Sequence, residues 1–130
     1  LATFHGMHAR GFPNCFFFGP AQGGFTATYT FSLDENAMHL THILSELKKR
    51  GVNRVETSQS SENEWVQTII DKARLTGDFQ KACTPGYYNN EGHVNVQPQN
   101  NFYGGGPIEF FNFLKKWRSN NKLTGLELAN

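Results

Sequence analysis

Residues 11–20 read Gly-Phe-Pro-Asn-Cys-Phe-Phe-Phe-Gly-Pro, a short apolar run between two turn-forming dipeptides. Such a run is typical of a strand that is buried on both faces inside a parallel sheet. A single strand cannot satisfy its own backbone hydrogen bonds, so its neighbours must come from elsewhere. We therefore predict an α/β fold with a buried strand at residues 14–18, in a sheet that this chain does not complete alone.

The residues after this strand predict a loop that leads into an amphipathic helix. Residues 21–30 are rich in glycine and threonine. Ser32 and Glu35 have the spacing of a capping box, and Gly51 is expected to end the helix. A buried strand, a glycine-bearing loop and a helix N-terminus form the place where open α/β sheets bind ligands, although the same pattern also occurs in plain connections. The predicted apolar stripe of the helix consists of Leu33, Ala37, Leu40, Leu44 and Leu47.

The rest of the chain predicts a short extended piece, two further helices and a long irregular segment. Residues 52–57 are the extended piece, and Ser61 and Glu64 form a second capping box. Pro107 suits the first position of the last helix. Residues 84–106 have no regular pattern, which indicates a functional loop or a segment laid over another surface. Residues 123–130 are expected to be a surface extension.

Composition and charge argue against nucleic acid and a membrane as partners. The chain has 130 residues, with twelve Lys and Arg against eleven Asp and Glu. This balance gives no basic surface to attract nucleic acid or an anionic membrane. Residues 11–33 carry no charge, but glycine, proline and threonine interrupt them, so we predict neither a membrane span nor a signal peptide. Seven of the twelve Phe lie in the first 31 residues, which indicates part of something larger.

No self-contained catalytic or metal site is predicted from the sequence. Cys15 and Cys83 lack zinc-ligand spacing, and we interpret them as reduced thiols of a cytoplasmic protein. His39 and His42 lie three residues apart without a further metal ligand, so surface positions are favoured for them. His5 and His8 could face a ligand, but surface or hydrogen-bonded positions are favoured. Residues 104–106 are three glycines before a helix N-terminus, which could hold an anion, but close packing is the simpler reason for them.

Three separated blocks of sequence resemble the Baeyer–Villiger monooxygenases, which are class B flavoprotein monooxygenases. Residues 11–20 are similar to the GFPNLFF..GP segment near the C-terminal end of that family. Residues 64–66 resemble its E-x-W-V helix start, and residues 84–92 with 103–111 resemble the terminal segment of one of its branches. The chain thus resembles the C-terminal portion of such an enzyme, without the FAD and NADP fingerprints, the signature motif or the catalytic arginine.

The resemblance implies a fold, a reaction and a set of partners. Residues 1–51 would be the C-terminal segment of a Rossmann-like FAD-binding domain, and residues 52–130 a family-specific segment that packs on it. FAD and NADPH would be the cofactors. The parent enzyme would insert one oxygen atom from dioxygen into a small-molecule ketone, giving an ester or a lactone. This segment would supply one wall of the site, remain inactive alone, and need the N-terminal part of the same enzyme.

The resemblance also implies which residues lie at the cofactors. Gly19 and Pro20 would lie beside the flavin, and the backbone N–H groups of Thr28, Tyr29 and Thr30 would face the pyrimidine edge of its ring. The helix would then begin before the Ser32 capping box. In relatives, charge collects at this edge when the flavin is reduced, and a helix N-terminus stabilises negative charge.

The remaining implied site residues belong to the substrate and to the nicotinamide cofactor. Phe25 and Thr26 match a bulge that lines the ketone pocket of relatives. Tyr87, Tyr88 and Asn89 match a mobile loop that closes over the nicotinamide cofactor. Thr84 stands near a position where some relatives carry Trp, which weakens the assignment of individual contacts in that loop.

Two other functions are compatible with the sequence. One is an N- or S-oxidising flavin monooxygenase of the same architecture, which this portion of the chain does not distinguish. The other is a non-enzymatic α/β module that binds a ligand or a partner. Such a module would have a closed core, whereas a fragment would expose apolar surface around residues 16–18 unless another chain covers it.

Overall fold

The computed structural model describes residues 1–73, 81–86, 91–92 and 98–130. These residues form three complete α-helices and a two-stranded sheet. The order is α1 (Tyr29–Arg50), β1 (Arg54–Thr57), α2 (Gln59–Asp71), α3 (Pro107–Arg118) and β2 (Leu126–Ala129), with a 3₁₀ turn at Pro98–Asn100. The α/β class is confirmed at this level. None of the helices in the described part of the chain is long and apolar enough to cross a bilayer.

The two strands lie antiparallel, with Arg54 opposite Ala129 and Thr57 opposite Leu126. The extended piece predicted at residues 52–57 is confirmed as β1. The prediction of a surface extension at residues 123–130 was wrong, because this segment supplies the strand that pairs with β1. An apolar cluster of the described residues lies here and consists of Ile43, Leu47, Val55 and Leu123.

Residues 14–18 do not form a strand in the described structure, so the buried strand, which was predicted to need neighbouring strands from elsewhere, stays a prediction. Isolated bonds hold the segment: the Asn14 N–H donates to the Val55 carbonyl at 2.9 Å, and the Phe17 N–H donates to the Met7 carbonyl at 2.8 Å. Phe17 and Phe18 are each 43% exposed. A strand needs neighbours on its hydrogen-bonding edges, and the described residues provide none. The apolar surface expected around residues 16–18 is present.

Helix α1 begins before the residue that its capping-box pattern predicts. It also buries a different face from the one that its apolar pattern predicts. Thr28 is the N-cap residue, so Ser32 lies inside the helix and is not its cap. Leu33 and Leu44 are 37% and 47% exposed. The pattern gave the wrong face, because a second face of the same helix packs against α3 and the sheet. That buried face consists of Ser32, His39, Ile43, Glu46 and Leu47, of which the sequence pattern predicted only Leu47.

Helix α2 also begins before its predicted capping box. Ser58 is the N-cap residue, and its hydroxyl oxygen accepts the Ser61 N–H at 3.2 Å. The Ser61–Glu64 box therefore lies within the first turns of the helix. Trp65 and Ile69 are buried on the inner face, as the apolar spacing predicts.

Removal of this cap gives a first testable prediction. The change Ser58→Ala is expected to lower the free energy of unfolding by about 1 kcal/mol, because one N–H of the first turn loses its acceptor. Thermal melting of the wild-type and variant proteins measures the change. Ser58→Asp keeps a capping oxygen and should melt close to the wild type; an equal loss in both variants would contradict the capping role.

Helix α3 confirms its prediction from the sequence. Pro107 lies in the first turn, and Phe110, Phe111 and Leu114 are buried. They join Phe4, Trp65, Ile69 and Tyr103 in the larger apolar cluster. Close packing explains Gly105, since a Cβ there would lie 2.4 Å from a Tyr103 ring carbon, whereas Gly106 adopts φ 90°, which favours glycine.

Candidate functional site

The loop before α1 is anchored by Gln22, whose side chain is fully buried. The Gln22 amide accepts a hydrogen bond from the Thr3 hydroxyl at 2.5 Å and donates to the carbonyls of Leu1 and Gln99 at 3.0 and 2.7 Å. The Gln22 carbonyl accepts the Trp65 indole N–H at 3.0 Å. Sequence reasoning missed this residue, and its place between Gly-Pro and Gly-Gly was the only signal. Gln22 thus fixes the loop that leads to the predicted site.

The two glycines after Gln22 let the loop pass close to α3. The Tyr103 N–H donates to the Gly23 carbonyl at 2.9 Å. A Cβ on Gly24 would lie 2.5 Å from a Phe110 ring carbon, so no larger side chain fits without displacing the core. Gly19 and Pro20 precede this buried stretch, with Gly19 half-buried and Pro20 exposed. The chain then reaches the surface at Phe25.

The first turn of α1 is an exposed helix N-terminus without negative charge. Thr28, Tyr29 and Thr30 are exposed, the first turn contains no acidic residue, and the Thr28 side chain makes no capping bond. The first N–H groups of a helix have no acceptor within the helix, and they form the positive end of its dipole. The Thr26 hydroxyl accepts the Thr28 N–H at 2.8 Å and fixes the turn before the helix. This geometry suits an anion or an electron-rich ring edge.

The structure brings the predicted substrate-pocket residues next to this helix start. Phe25 is 48% exposed, and its ring stacks on Phe102 at 5.6 Å between centroids. Thr26 is half-buried beside it. Phe25, Thr26 and the start of α1 therefore share one surface. The predicted residues Tyr87, Tyr88 and Asn89 lie outside the residues that the structure describes.

A cleft of about 520 Å³ opens between the starts of α1 and α3. The rings of Phe31 and Phe111 form its aromatic part, 5.4 Å apart between centroids and nearly perpendicular. Thr26 and Thr28 lie on the loop side, so the cleft is continuous with the exposed helix start. The other lining residues are Glu35, Pro107, Ile108, Asn112 and Lys115.

Three histidines form a buried cluster against the inner face of α1. His5, His8 and His39 are at most 3% exposed, and His5 Nδ1 lies 3.4 Å from His39 Nε2. The predicted surface position of His39 was wrong, because the helix face that carries it packs on His5 and on the Trp117 ring. For His5, the surface position was wrong and the hydrogen-bonded position is confirmed. Among the described residues, no group of three or more potential metal ligands is positioned to hold a metal ion.

Burial keeps these histidines neutral. It lowers the pKa of His5 well below its usual value, and the neighbouring His39 and His8 lower it further. Burial also lowers the pKa of His8 to about 4. The pKa of His39 falls to about 3, chiefly through burial and further through His8 and Arg118. The 3.4 Å contact between His5 Nδ1 and His39 Nε2 needs an N–H on one nitrogen and a lone pair on the other. Two neutral imidazole rings can supply both.

Comparison with known sequences finds relatives that match nearly the whole chain. No family model matches. Neopentalenolactone D synthase of Streptomyces avermitilis is 45% identical over 127 residues, which are 97% of this chain and 21% of that protein. A Baeyer–Villiger monooxygenase of Stachybotrys chlorohalonatus is 34% identical over 98% of this chain and 21% of its own length. The chain therefore spans about a fifth of the length of these relatives.

Comparison with solved structures leads to the same group of enzymes. A polycyclic ketone monooxygenase of Thermothelomyces thermophila has a TM-score of 0.88 at 26% identity, over 100% of this chain and 21% of that chain. A cyclohexanone monooxygenase of Rhodococcus sp. Phi1 has a TM-score of 0.77 at 22% identity, over 99% of this chain and 23% of its own, which shows the shared fold. As its three sequence blocks predicted, the chain is homologous to one segment of the Baeyer–Villiger monooxygenases.

Proposed function

We propose that this chain is the C-terminal portion of a flavin-dependent monooxygenase that inserts an oxygen atom from dioxygen into a ketone and forms an ester or a lactone. The observation that carries the proposal is the similarity over nearly the whole chain to enzymes named as Baeyer–Villiger or FAD-binding monooxygenases. FAD and NADPH are the proposed cofactors, and one of the similar structures is described as bound to NADP⁺. We expect the enzyme to be cytoplasmic.

The exposed apolar surface supports a role as one part of a larger FAD-binding domain. Phe12, Phe17 and Phe18 are 60%, 43% and 43% exposed. Exposed aromatic side chains in such numbers are unfavourable unless something covers them. We assign residues 1–51 to a Rossmann-like FAD domain whose other strands would pair with residues 14–18. Residues 52–130 would be the family-specific segment, and their packing on α1 through Val55 and Leu123 supports this assignment.

The start of α1 fits the electron-rich edge of a flavin. Residues 28–30 are exposed and no carboxylate lies in the first turn, so a ring edge that gains negative charge would be stabilised there. Bound FAD would supply electron transfer and the activation of dioxygen, and NADPH would supply the electrons. The backbone of residues 28–30 would hold and orient the ring edge, with Gly19 and Pro20 beside it.

The residues next to this helix start would position the ketone and exclude water. The stacked rings of Phe25 and Phe102 form an apolar wall beside Thr26. An apolar wall of this kind shields reacting groups from solvent. Tyr87, Tyr88 and Asn89 are proposed to lie on the nicotinamide side. The catalytic arginine implied by the resemblance would come from the rest of the enzyme.

The two alternative functions predict different results. An N- or S-oxidising enzyme would convert an amine or a sulfide, so product analysis with a cyclic ketone and an amine distinguishes it from the proposed ketone oxygenation. The relatives whose names include Baeyer–Villiger favour the ketone. A non-enzymatic module would fold alone with a closed core, and the exposed phenylalanines argue against it.

A proline at the first residue of α1 tests the flavin assignment. Tyr29→Pro in the full-length enzyme removes one N–H, and proline is well tolerated at the first helical position. The backbone of Thr28, with φ −91° and ψ 81°, lies outside the α region that a following proline disfavours. The ring edge of oxidised FAD is neutral, and loss of one neutral hydrogen bond costs about 0.5–1.5 kcal/mol, so FAD should bind roughly two- to tenfold more weakly.

The matched control for this experiment is Tyr29→Ala, which removes the same side chain and keeps the N–H. It should retain FAD much better than the proline variant. FAD content after gel filtration and titration of the apoenzyme with FAD measure the difference. Equal FAD affinity in the proline and alanine variants would contradict the proposed role of the α1 N-terminus.

A further inference from the structure

We propose that the cleft between the starts of α1 and α3 receives the part of an apolar ketone substrate that lies furthest from the reacting carbonyl, and that Ile108 at this cleft limits the size of the substrate. The inference rests on the proposed function and deepens it, because it names a second wall of the substrate site. It also assigns a role to α3, which the resemblance connects only with packing on the FAD domain.

The cleft is continuous with the residues proposed to surround the reacting groups. Thr26, assigned to the ketone pocket, and Thr28, the N-cap of α1, both line it. The two residues are joined by the hydrogen bond from the Thr28 N–H to the Thr26 hydroxyl. A substrate held at Phe25 and Thr26 would therefore extend into the cleft if it were larger than the space beside the helix start.

Most of the cleft lining is apolar, with Asn112 and Lys115 among its polar members, and it suits a largely apolar group. Phe31, Phe111, Pro107 and Ile108 supply aromatic and aliphatic surface. Glu35 is the acidic member of the lining, and it lies 3.7 Å from the Arg118 guanidinium, so its charge is already balanced. The volume of about 520 Å³ is typical of sites that bind small molecules. A fused-ring ketone matches both this volume and this chemistry.

Ile108 is the residue of α3 whose exposure the fold does not explain. Its side chain is 79% exposed, whereas Phe110, Phe111 and Leu114 of the same helix are buried in the core. An isoleucine in that position adds little to the packing of this chain, but it lines the cleft. Its size would set how much of the cleft a bulky substrate can occupy.

Substitution of Ile108 in the full-length enzyme tests the inference. Ile108→Trp fills part of the cleft and is expected to lower kcat/KM for a fused tricyclic ketone by about tenfold or more, while kcat/KM for cyclohexanone changes less than about twofold. Ile108→Ala enlarges the cleft and should shift the ratio of the two kcat/KM values toward the tricyclic ketone. Lys116→Trp places the same large side chain on an exposed position of α3 outside the cleft, and should leave the ratio unchanged.

The possible outcomes separate this inference from the proposed function. If the wild-type enzyme oxidises neither ketone, the proposed function fails and the inference fails with it. If the wild type is active and both Ile108 variants keep its FAD content and its ratio of kcat/KM values, only the role of the cleft is overturned. If Ile108→Trp does not fold, the ratio for Ile108→Ala decides, because removing an exposed side chain has little effect on stability.

Discussion

Replacing Trp65 by alanine is expected to destabilise the folded protein by about 3–5 kcal/mol. Trp65 is 5% exposed, and its ring contacts those of His5, Tyr103 and Phe113, with centroids 5.2, 5.7 and 5.4 Å away. The substitution would remove these contacts and leave a cavity at the junction of α2 and α3. It would also leave the Gln22 carbonyl without the indole N–H that it accepts at 3.0 Å.

The variant Trp65→Phe separates the two contributions. It keeps an aromatic ring and removes the N–H, so it should cost about 1–3 kcal/mol, the penalty of a buried carbonyl without its donor. Thermal melting of the full-length enzyme gives the ranking of wild type, phenylalanine variant and alanine variant. Because Gln22 anchors the loop before α1, FAD content should fall in the same order. A melting temperature of the alanine variant equal to that of the wild type would contradict the central position of Trp65.

The elements that the sequence predicts well carry several independent signals. Helix α3 has a proline in its first turn, apolar residues at helical spacing and basic residues in its last turn, and all of these agree. The C-terminus of α1 is predicted equally well, because a glycine follows three basic residues. In the structure this glycine, Gly51, adopts φ 66°. Local chemistry alone determines such features, so they can be predicted from the sequence.

The helix starts show where local signals compete. Both predicted capping boxes, at Ser32 and at Ser61, lie inside helices that begin at Tyr29 and Gln59. In each case another hydroxyl residue, Thr28 or Ser58, precedes the box and is the true N-cap. Which of two possible caps is used depends on the direction from which the chain enters the helix. Tertiary contacts set that direction. Before α1, for example, the buried Gln22 side chain fixes the loop through its hydrogen bonds.

The remaining differences concern surroundings that a local pattern does not contain. Residues 14–18 have the composition of a buried strand, but burial needs neighbouring strands, and the described residues supply none. His39 has the same sequence context as a surface histidine, yet it is buried because His5 and Trp117 pack against it. For the candidate site, the resemblance names the helix start and Phe25, which stay predictions. It does not name Gln22, whose role comes from contacts with distant residues.

Lowering the pH from 7 to 5 is expected to destabilise the folded protein through its buried histidines. The pKa of a histidine in the unfolded chain is close to 6.5, whereas the folded pKa is about 4 for His8 and about 3 for His39. Below pH 6.5 the unfolded state therefore binds more protons, and stability falls with pH until the folded pKa values are reached. At pH 5 the loss is about 2 kcal/mol for each such histidine.

In the window between pH 6.5 and pH 5 the titration of the histidines is separate from that of Glu46 and Glu56. Hydrogen bonds lower the pKa of Glu46, through Lys49, and of Glu56, through the Gly11 N–H, so these groups titrate below the window. The nearby Arg118 charge opposes protonation of His39 and strengthens the effect. Urea denaturation of the full-length enzyme at pH 7, 6 and 5 measures it. In His39→Leu one of the proton-linked groups is absent, so stability should fall less steeply between pH 7 and pH 5; a slope equal to that of the wild type would contradict the linkage.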